Sequence, residues 1–243
     1  MKLIVLAAGY ATRLHPLTLD RPKPLLDVAG RPMLDRLLDR VLTIGGIEET
    51  IVVTNAKFAS AFEAWATDRH GVAVVDDGTT SEDDRLGAIG DLGYVLTSRR
   101  VDDDVVVVAG DNLFGSDLAD FGRFARSVGA PTLAVYDVGD LAEMSKYNEV
   151  QTDAAGRITF FEEKPQSATT TLAGIALYYY PRATLPLIHG YLADGNNPDQ
   201  PGRLIQWLHT RIPVYTWLVP GVWYDIGSRE SLAEADEVFA NQS

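Results

Sequence analysis

The 243-residue chain contains no cysteine. Disulfides and thiolate metal sites are thereby excluded, and the absence fits a cytoplasmic protein. Histidine is scarce, and His15, His70, His189 and His209 show no pairwise metal-ligand spacing, so none is given a ligand role. No run approaches the roughly 18–20 apolar residues that a membrane-spanning helix needs. The opening "MKLIVLAAG" leads straight into a charged loop and reads as a buried strand, not a secretory signal. Bases are few: 21 Lys and Arg stand against 34 Asp and Glu, a net charge of −13. Nucleic acid and anionic membrane both demand a basic face, so neither is an expected partner. The three spaced glycines of a dinucleotide fingerprint are missing, as is the Gly-Lys-Ser/Thr of a Walker loop. That disfavours a dinucleotide-dependent oxidoreductase. There is no internal repeat and no low-complexity linker.

What is present is ample material for one sizeable core, with 46% hydrophobic residues. Continuous β-branched runs at 2–7, 50–54, 72–76 and 105–109 read as parallel strands covered on both faces. Helical patterns lie between them at about 31–44, 56–68 and 84–97. The alternation predicts an α/β fold: a Rossmann-like, doubly wound, mixed and mainly parallel sheet with right-handed crossovers. "TLAVYDV" (132–138) continues that sheet. From about residue 147 two alternating runs flank a turn at Asp153-Ala154-Ala155-Gly156, which predicts a hairpin and a small β-rich insertion on the substrate side. A further strand at 171–181, two helices, "PVYTWLVPG" and a closing helix at about 229–240 complete the reading.

"LAAGYATRLHPLTLDRPKPLL" (6–26) departs from the rest of the chain. It sets Gly9, Arg13 and Lys23 in a proline-studded loop directly after the first buried strand. In an open parallel sheet, ligands bind beyond the carboxyl ends of the strands. Gly9 is expected to turn the chain at positive φ and to let backbone N–H groups approach an anion. Arg13 can grip phosphate bidentately and Lys23 can add a point charge. Pro16, Pro22 and Pro24 limit the loop's freedom, so the cations need less ordering on binding. The stretch reads as a phosphate clamp.

Those residues, with four later blocks, resemble the sugar-phosphate nucleotidylyltransferases, the NDP-sugar pyrophosphorylases. The first loop and its "PKPLL" are similar to that family's signature. "AGDNLF" (109–114), "FFEEKP" (160–165), "LAGIALYYYP" (172–181) and "WYDIGS" (223–228) are similar to four more of its blocks in the same order. The resemblance implies one nucleotidyltransferase domain over 1–243, with a nucleotide-binding half at about 1–138 and an acceptor-binding half at about 139–243. It implies transfer of a nucleotidyl group from an NTP, UTP or dTTP favoured, to a sugar 1-phosphate, with pyrophosphate released and Mg²⁺ as cofactor. A CTP-dependent enzyme acting on a non-sugar phosphate or phosphonate stays open, as does a non-catalytic nucleotide-sugar-binding module.

The implied nucleotide contacts are Leu6, Ala8, Gly9, Thr12, Arg13, Lys23, Gly78 and Gly87. Arg13, Lys23, Asp111 and Asp225 are the implied catalytic group, with Asp111 and Asp225 as metal ligands. Acceptor contacts are expected from Asn112, Tyr147, Asn148, Glu163, Lys164 and Gly174, with Asn112 either orienting Asp111 or touching ligand. Four departures from the family pattern stand out. Ala11 replaces a usual glycine, Asp91 replaces a small apolar residue, and Asn148 stands where bacterial thymidylyltransferases tend to have glycine. "DGNNPDQPGRLIQWLHTR" (194–211) matches no family block; its Trp207, Arg203 and Arg211 either line an acceptor pocket or belong to the core. The stretch "DDGTTSEDDR" (76–85) either supplies hydrogen-bond partners for the nucleobase or only starts the third helix, with Ser81 as its expected N-cap. The chain ends soon after "WYDIGS", so the left-handed β-helix of some relatives, and acetyl transfer with it, is not expected.

Overall fold

A computed structural model describes residues 1–240. β1 (Lys2–Leu6) runs into a loop with two short 3-10 turns, Thr12–Leu14 and Lys23–Leu25. A tight hairpin of β2 (Asp27–Val28) and β3 (Arg31–Pro32) delivers the chain to α1 (Met33–Val41). Then come β4 (Glu49–Thr54), α2 (Ala59–Ala66), β5 (Val72–Asp76), α3 (Ala88–Ser98), β6 (Val105–Ala109) and β7 (Asn112–Phe114). α4 (Ala119–Val128) and β8 (Thr132–Asp137) close the first half. The second half holds β9 (Asn148–Thr152), β10 (Ile158–Glu163), β11 (Leu172–Tyr180), α5 (Leu185–Ala193), α6 (Pro201–Leu208), β12 (Tyr215–Leu218), β13 (Trp223–Asp225) and α7 (Arg229–Ala240).

Seven strands form the main sheet in the order β12-β8-β11-β6-β1-β4-β5. β1 pairs parallel with β4 and β6, and β4 pairs parallel with β5. β11 runs antiparallel to both of its neighbours, β6 and β8. The sheet is therefore mixed and mainly parallel, as expected, but β8 does not extend the parallel run by pairing with β6. The 138–171 excursion leaves and re-enters the sheet at one end, where Leu172 pairs with Asp137, so β11 runs back between β8 and β6 antiparallel to both.

Alternation along each strand sends neighbouring side chains to opposite faces. Leu3, Val5, Val52, Val106 and Val108 pack on Leu34 and Leu37 of α1, Phe62 of α2 and Phe121 of α4. Ile4, Ile51, Val53, Val105 and Val107 pack on Leu92 and Val95 of α3, Ile188 of α5 and Leu204 of α6. Burial on both faces explains why these strands are continuous apolar runs. α1 shows the matching helical pattern: Met33, Leu34, Leu37, Leu38 and Val41 form one buried stripe.

The hairpin at 153–156 forms as expected. Asp153 Oδ1 accepts hydrogen bonds from the backbone N–H of Ala155 (2.9 Å) and Arg157 (3.0 Å), and Gly156 supplies φ +77°. The third helix starts later than its sequence suggests, at Ala88, with Gly87 as N-cap. Ser81 does not cap it. Residues 80–84 instead form a turn in which Asp84 accepts from the backbone N–H groups of Thr80 and Ser81, holding its carboxyl down at about 2. The short polar side chains there satisfy one another locally and offer the helix nothing. No helix among the described residues is long and apolar enough to cross a membrane.

Candidate active site

The loops after β1, β5 and β6, the start of α3, and the segments around residues 199 and 225 enclose a cleft of about 450 Å³. It opens at the carboxyl ends of the parallel strands, where such sheets bind ligands. Arg13, Lys23, Asp111 and Asp225 all border it, together with Leu6, Ala8, Gly9, Thr12 and Gly87. The cations of the first loop and the two carboxylates thus face one another across one space.

The backbone reaches that arrangement differently from the expectation. Gly9 does not sit at positive φ; the left-handed residue of the loop is Ala11, at φ 50°. An alanine there costs about 1–2 kcal/mol. The turn is held by Leu14 N–H and by the buried Thr18 hydroxyl, which both donate to the Ala11 carbonyl (3.0 and 2.8 Å). A Cβ on Gly9 would meet no protein atom within 4 Å. What the missing side chain leaves open at Gly9 is room beside the cleft.

Lys23 and Asp111 are joined directly, Nζ to Oδ2 at 2.8 Å. Asn112 Nδ2 donates to Asp111 Oδ1 (3.0 Å), and Trp223 Nε1 donates to Asn112 Oδ1 (2.6 Å). Asn112 is buried with both ends of its amide engaged, so it orients Asp111 and does not border the cleft. Burial pushes the Asp111 carboxyl up, but the Lys23 ammonium, backbone N–H and the Asn112 amide outweigh it and hold it below the usual range. β13 pairs antiparallel with β7, setting Asp225 opposite Asn112, and Ile226 N–H donates to the Asp111 carbonyl (3.1 Å). Burial and the charge of Asp111 push Asp225 up to about 6. Arg13 is exposed, and its guanidinium makes no hydrogen bond or ion pair among the described residues.

The acceptor-side candidates gather next to the cleft and not in its lining. Tyr147 packs on Trp223 of β13, ring centroids 6.1 Å apart, and burial and then the Asp225 charge raise its hydroxyl. The Lys164 N–H donates to the Tyr147 carbonyl (2.9 Å), and Lys164 is exposed in the left-handed region at φ 52°. Asn148 clamps Gly174: its Oδ1 accepts from Gly174 N–H (2.6 Å) and its Nδ2 donates to the Gly174 carbonyl (2.9 Å). Both ends of the Asn148 amide are spent on main chain. A Cβ at Gly174 would come within 2.7 Å of Leu133 Cδ2 and 3.0 Å of Asn148 Oδ1, so a larger residue there would have to displace both side chains. Glu163 is pressed against Gly202 of α6, its Oε2 is buried without a partner, and burial raises its carboxyl. Gly78 lies outside the cleft, its N–H held by Asp76 Oδ1 (2.8 Å).

Tyr10, Asp199 and Pro201 escaped the sequence reading, Asp91 was noticed only as a departure, and Glu82 and Arg85 belong to the 76–85 stretch offered as a source of nucleobase partners. Asp199 arrives through tertiary folding. The carbonyls of Pro198 and Asp199 accept from Ile89 N–H (2.8 Å) and Ala88 N–H (3.3 Å), so the 194–201 segment covers the α3 N-terminus. Gly87 is needed at that crossing, because a Cβ would stand 2.7 Å from the Pro198 carbonyl. Trp207 and Arg211 do not reach the cleft. Trp207 packs on the core, met edge-on by Tyr191 and stacked by the Arg211 guanidinium at 3.9 Å.

Chemically, one end of the cleft offers Arg13 and Lys23 with the carboxylates of Asp111 and Asp225, the other holds Arg85 with Glu82, Asp91 and Asp199, and no Ser, Cys or His borders it among the described residues. It suits charge neutralisation of a polyanion better than nucleophilic catalysis by a side chain. The family model described as Nucleotidyl transferase matches residues 2–242. The chain is 37% identical over 229 residues to a mannose-1-phosphate guanylyltransferase of Mycobacterium tuberculosis, covering 93% of this chain and 61% of that protein. It is 28% identical over 189 residues to a UTP–glucose-1-phosphate uridylyltransferase of Haloferax volcanii, covering 78% of this chain and 75% of that protein. Among solved structures, a UDP-glucose pyrophosphorylase complexed with UDP-glucose superposes with a TM-score of 0.82 at 20% identity, covering 100% of this chain and 99% of that one.

Proposed function

This chain belongs to the nucleotidyl transferase family, and from that premise we propose that its cleft moves a nucleotidyl group from a nucleoside triphosphate to a sugar 1-phosphate. The observation that carries the reading is the convergence of Arg13, Lys23, Asp111 and Asp225 on one cleft at the strand ends.

The acceptor's phosphate oxygen attacks the α-phosphorus, the bond from that phosphorus to the β-phosphate bridging oxygen breaks, and pyrophosphate leaves with the electron pair. The nucleophile is already anionic, so no general base is required, and catalysis reduces to alignment and charge neutralisation. Arg13, free of any protein partner, grips the β- and γ-phosphates as negative charge builds on them. Lys23 meets the α-phosphate. Asn112, fixed by Trp223, keeps Asp111 turned to the cleft. Lys164 and Glu163 bind the incoming phosphate and the sugar hydroxyls from the adjoining acceptor side.

The donor set fits Mg²⁺: two hard carboxylate oxygens face each other, and their mutual repulsion, visible in the raised Asp225, is relieved by a cation between them. Mg²⁺ held by Asp111 and Asp225 would share their charge with the triphosphate oxygens and so polarise the phosphoryl group.

The test is pyrophosphate release from a matrix of ATP, GTP, CTP, UTP and dTTP against sugar 1-phosphates and one phosphonate, with and without Mg²⁺. Release with at least one sugar 1-phosphate is expected. No release with any pair, while nucleotide still binds, would leave a binding module and no enzyme.

A further inference from the structure

Asp91 sits in the first turn of α3, borders the cleft, and is only 6% exposed. Its Oδ1 is sealed from solvent, and neither carboxyl oxygen accepts from any N–H or hydroxyl donor among the described residues. That leaves Oδ2 to face the cleft. The group within hydrogen-bonding reach is another acid, Asp77, in the loop after β5. Asp77 is itself buried: its Oδ1 is occupied by the N–H and hydroxyl of Thr79, both at 2.7 Å, and its Oδ2 has no donor. The Thr79 hydroxyl lies 3.4 Å from the Tyr10 hydroxyl, and Tyr10 also borders the cleft.

Among the described residues no cation is paired with either acid. Arg85, which borders the same part of the cleft, is taken by Glu82 and Asp199 (both 3.3 Å). A carboxyl buried beside a like charge takes up a proton, and the side-chain hydrogen bond to Asp77 is where Asp91 directs it. Burial and the neighbouring charges, Asp77 first, accordingly raise Asp91 to about 8. With its proton turned to Asp77, Asp91 presents its other carboxyl oxygen to the cleft as an acceptor.

The sheet fixes where this acceptor lies relative to the phosphate chemistry. Asp111 follows β6 and Asp77 follows β5, three strands away in the order β6-β1-β4-β5. Three steps between neighbouring strands span roughly 14 Å. A nucleotide with its phosphates between Arg13, Lys23 and the Asp111–Asp225 pair lays its base toward the Asp91 end. The other charged groups at that end are two acids, Glu82 and Asp199, and Arg85, whose guanidinium is already paired with both.

Resting on the nucleotidyl-transfer reading above, we propose that Asp91 reads the nucleobase as a hydrogen-bond acceptor, so that the donor nucleotide carries an amino group on its pairing edge. Guanine, cytosine and adenine meet that requirement. Uracil and thymine do not: they present a single N–H flanked by two carbonyl oxygens, which face the acid oxygens of this end of the cleft. A buried polar group left unpaired is costly, which is how such a site rejects the wrong base.

The test is equilibrium binding of GTP, CTP, ATP, UTP and dTTP to the full chain without acceptor, for wild type and for Asp91→Asn and Asp91→Ala. The best amino-bearing nucleotide is expected to bind wild type about ten- to a hundredfold tighter than UTP or dTTP, and both variants to lose most of that gap. UTP or dTTP binding wild type as tightly as the best of the other three overturns the inference, and this comparison needs no folded variant. An unchanged gap in well-folded Asp91→Asn also overturns it. In either of those cases pyrophosphate release with UTP or dTTP and a sugar 1-phosphate leaves the transfer reading standing. Absence of binding by all five nucleotides sinks both.

Discussion

The Lys23 ammonium, 2.8 Å from Asp111 Oδ2, ties the first loop to the end of β6 across 88 residues of sequence. Both side chains are partly sheltered, at 13% and 30% exposure. The pair therefore sets the resting position of two groups assigned to phosphate and metal. Lys23→Met removes the cation that outweighs Asp111's burial. Turnover is expected to fall about a hundredfold or more, with about 1–3 kcal/mol lost from unfolding stability. Steady-state kinetics and denaturant unfolding measure the two effects separately; unchanged kcat would free Lys23 of its assigned role.

Arg13 has the opposite character. It is exposed and unpaired, so the fold does not depend on it. Arg13→Ala should leave Tm within about a degree while turnover falls on the order of 10²–10³. A near-normal rate would remove Arg13 from the mechanism.

Asp225 is held in an unfavourable place by burial and by Asp111. Replacing it with asparagine relieves that repulsion. Asp225→Asn is expected to match or exceed the wild type in Tm, yet to lose about a hundredfold or more in activity and to need more Mg²⁺. Thermal melts with a Mg²⁺ titration of pyrophosphate release check this; lower stability and an unchanged Mg²⁺ requirement would contradict it.

Trp223 acts on Asp111 through Asn112. Trp223→Phe keeps the ring but leaves the buried Asn112 carbonyl without its donor. That is expected to cost about 1–3 kcal/mol, or several degrees at about 2–4 °C per kcal/mol. Because Asp111 loses its orientation, kcat should fall more than KM rises. A purely structural role would lower Tm with kcat intact.

The Asp77–Asp91 pair makes stability depend on pH in a definite direction. Asp91 titrates at about 8 in the folded protein, raised from 3.8 by burial, by Asp77 from the loop after β5 and by Asp199 from the loop before α6. Between those values the native state holds more protons than the unfolded chain, so stability falls as pH rises from about 4 to about 8. Asp91→Asn removes this slope. Each tenfold difference in proton affinity between the folded and unfolded states is worth about 1.4 kcal/mol. The variant's gain in Tm over wild type should therefore be small near pH 4 and reach at least about 3 °C near pH 8.5. Parallel melting curves across that range would refute the assignment.

Much of this was legible in the residues alone. Valine runs such as 105–108 can only be buried strands, and Arg13 and Lys23 among three prolines in an acidic chain pointed to an anion. Other features were hidden because local sequence does not encode them. Nothing in "LAGIALYYY" states that its strand runs antiparallel between β6 and β8, since β-branched and aromatic residues suit either direction. The shift of the α3 start from 84 to 88 followed from competing polar side chains at 80–84, whose hydrogen bonds depend on how the turn closes. Asn112 left two roles open until Trp223, 111 residues away, was seen to take its carbonyl.

The sequence by itself determined the main strands and helices, though not the short β2, β3, β7 and β13, because periodicity and β-branching are local properties that need several residues to show, and it determined the phosphate-seeking character of the first loop. Only the tertiary structure decided that Lys23 meets Asp111, that the 194–201 segment covers the start of α3, and that Asp91 comes to rest buried against Asp77. Those outcomes depend on distance and burial between elements far apart in the chain. Coulomb and desolvation energies are set by where groups come to rest in space, which residue order alone does not specify.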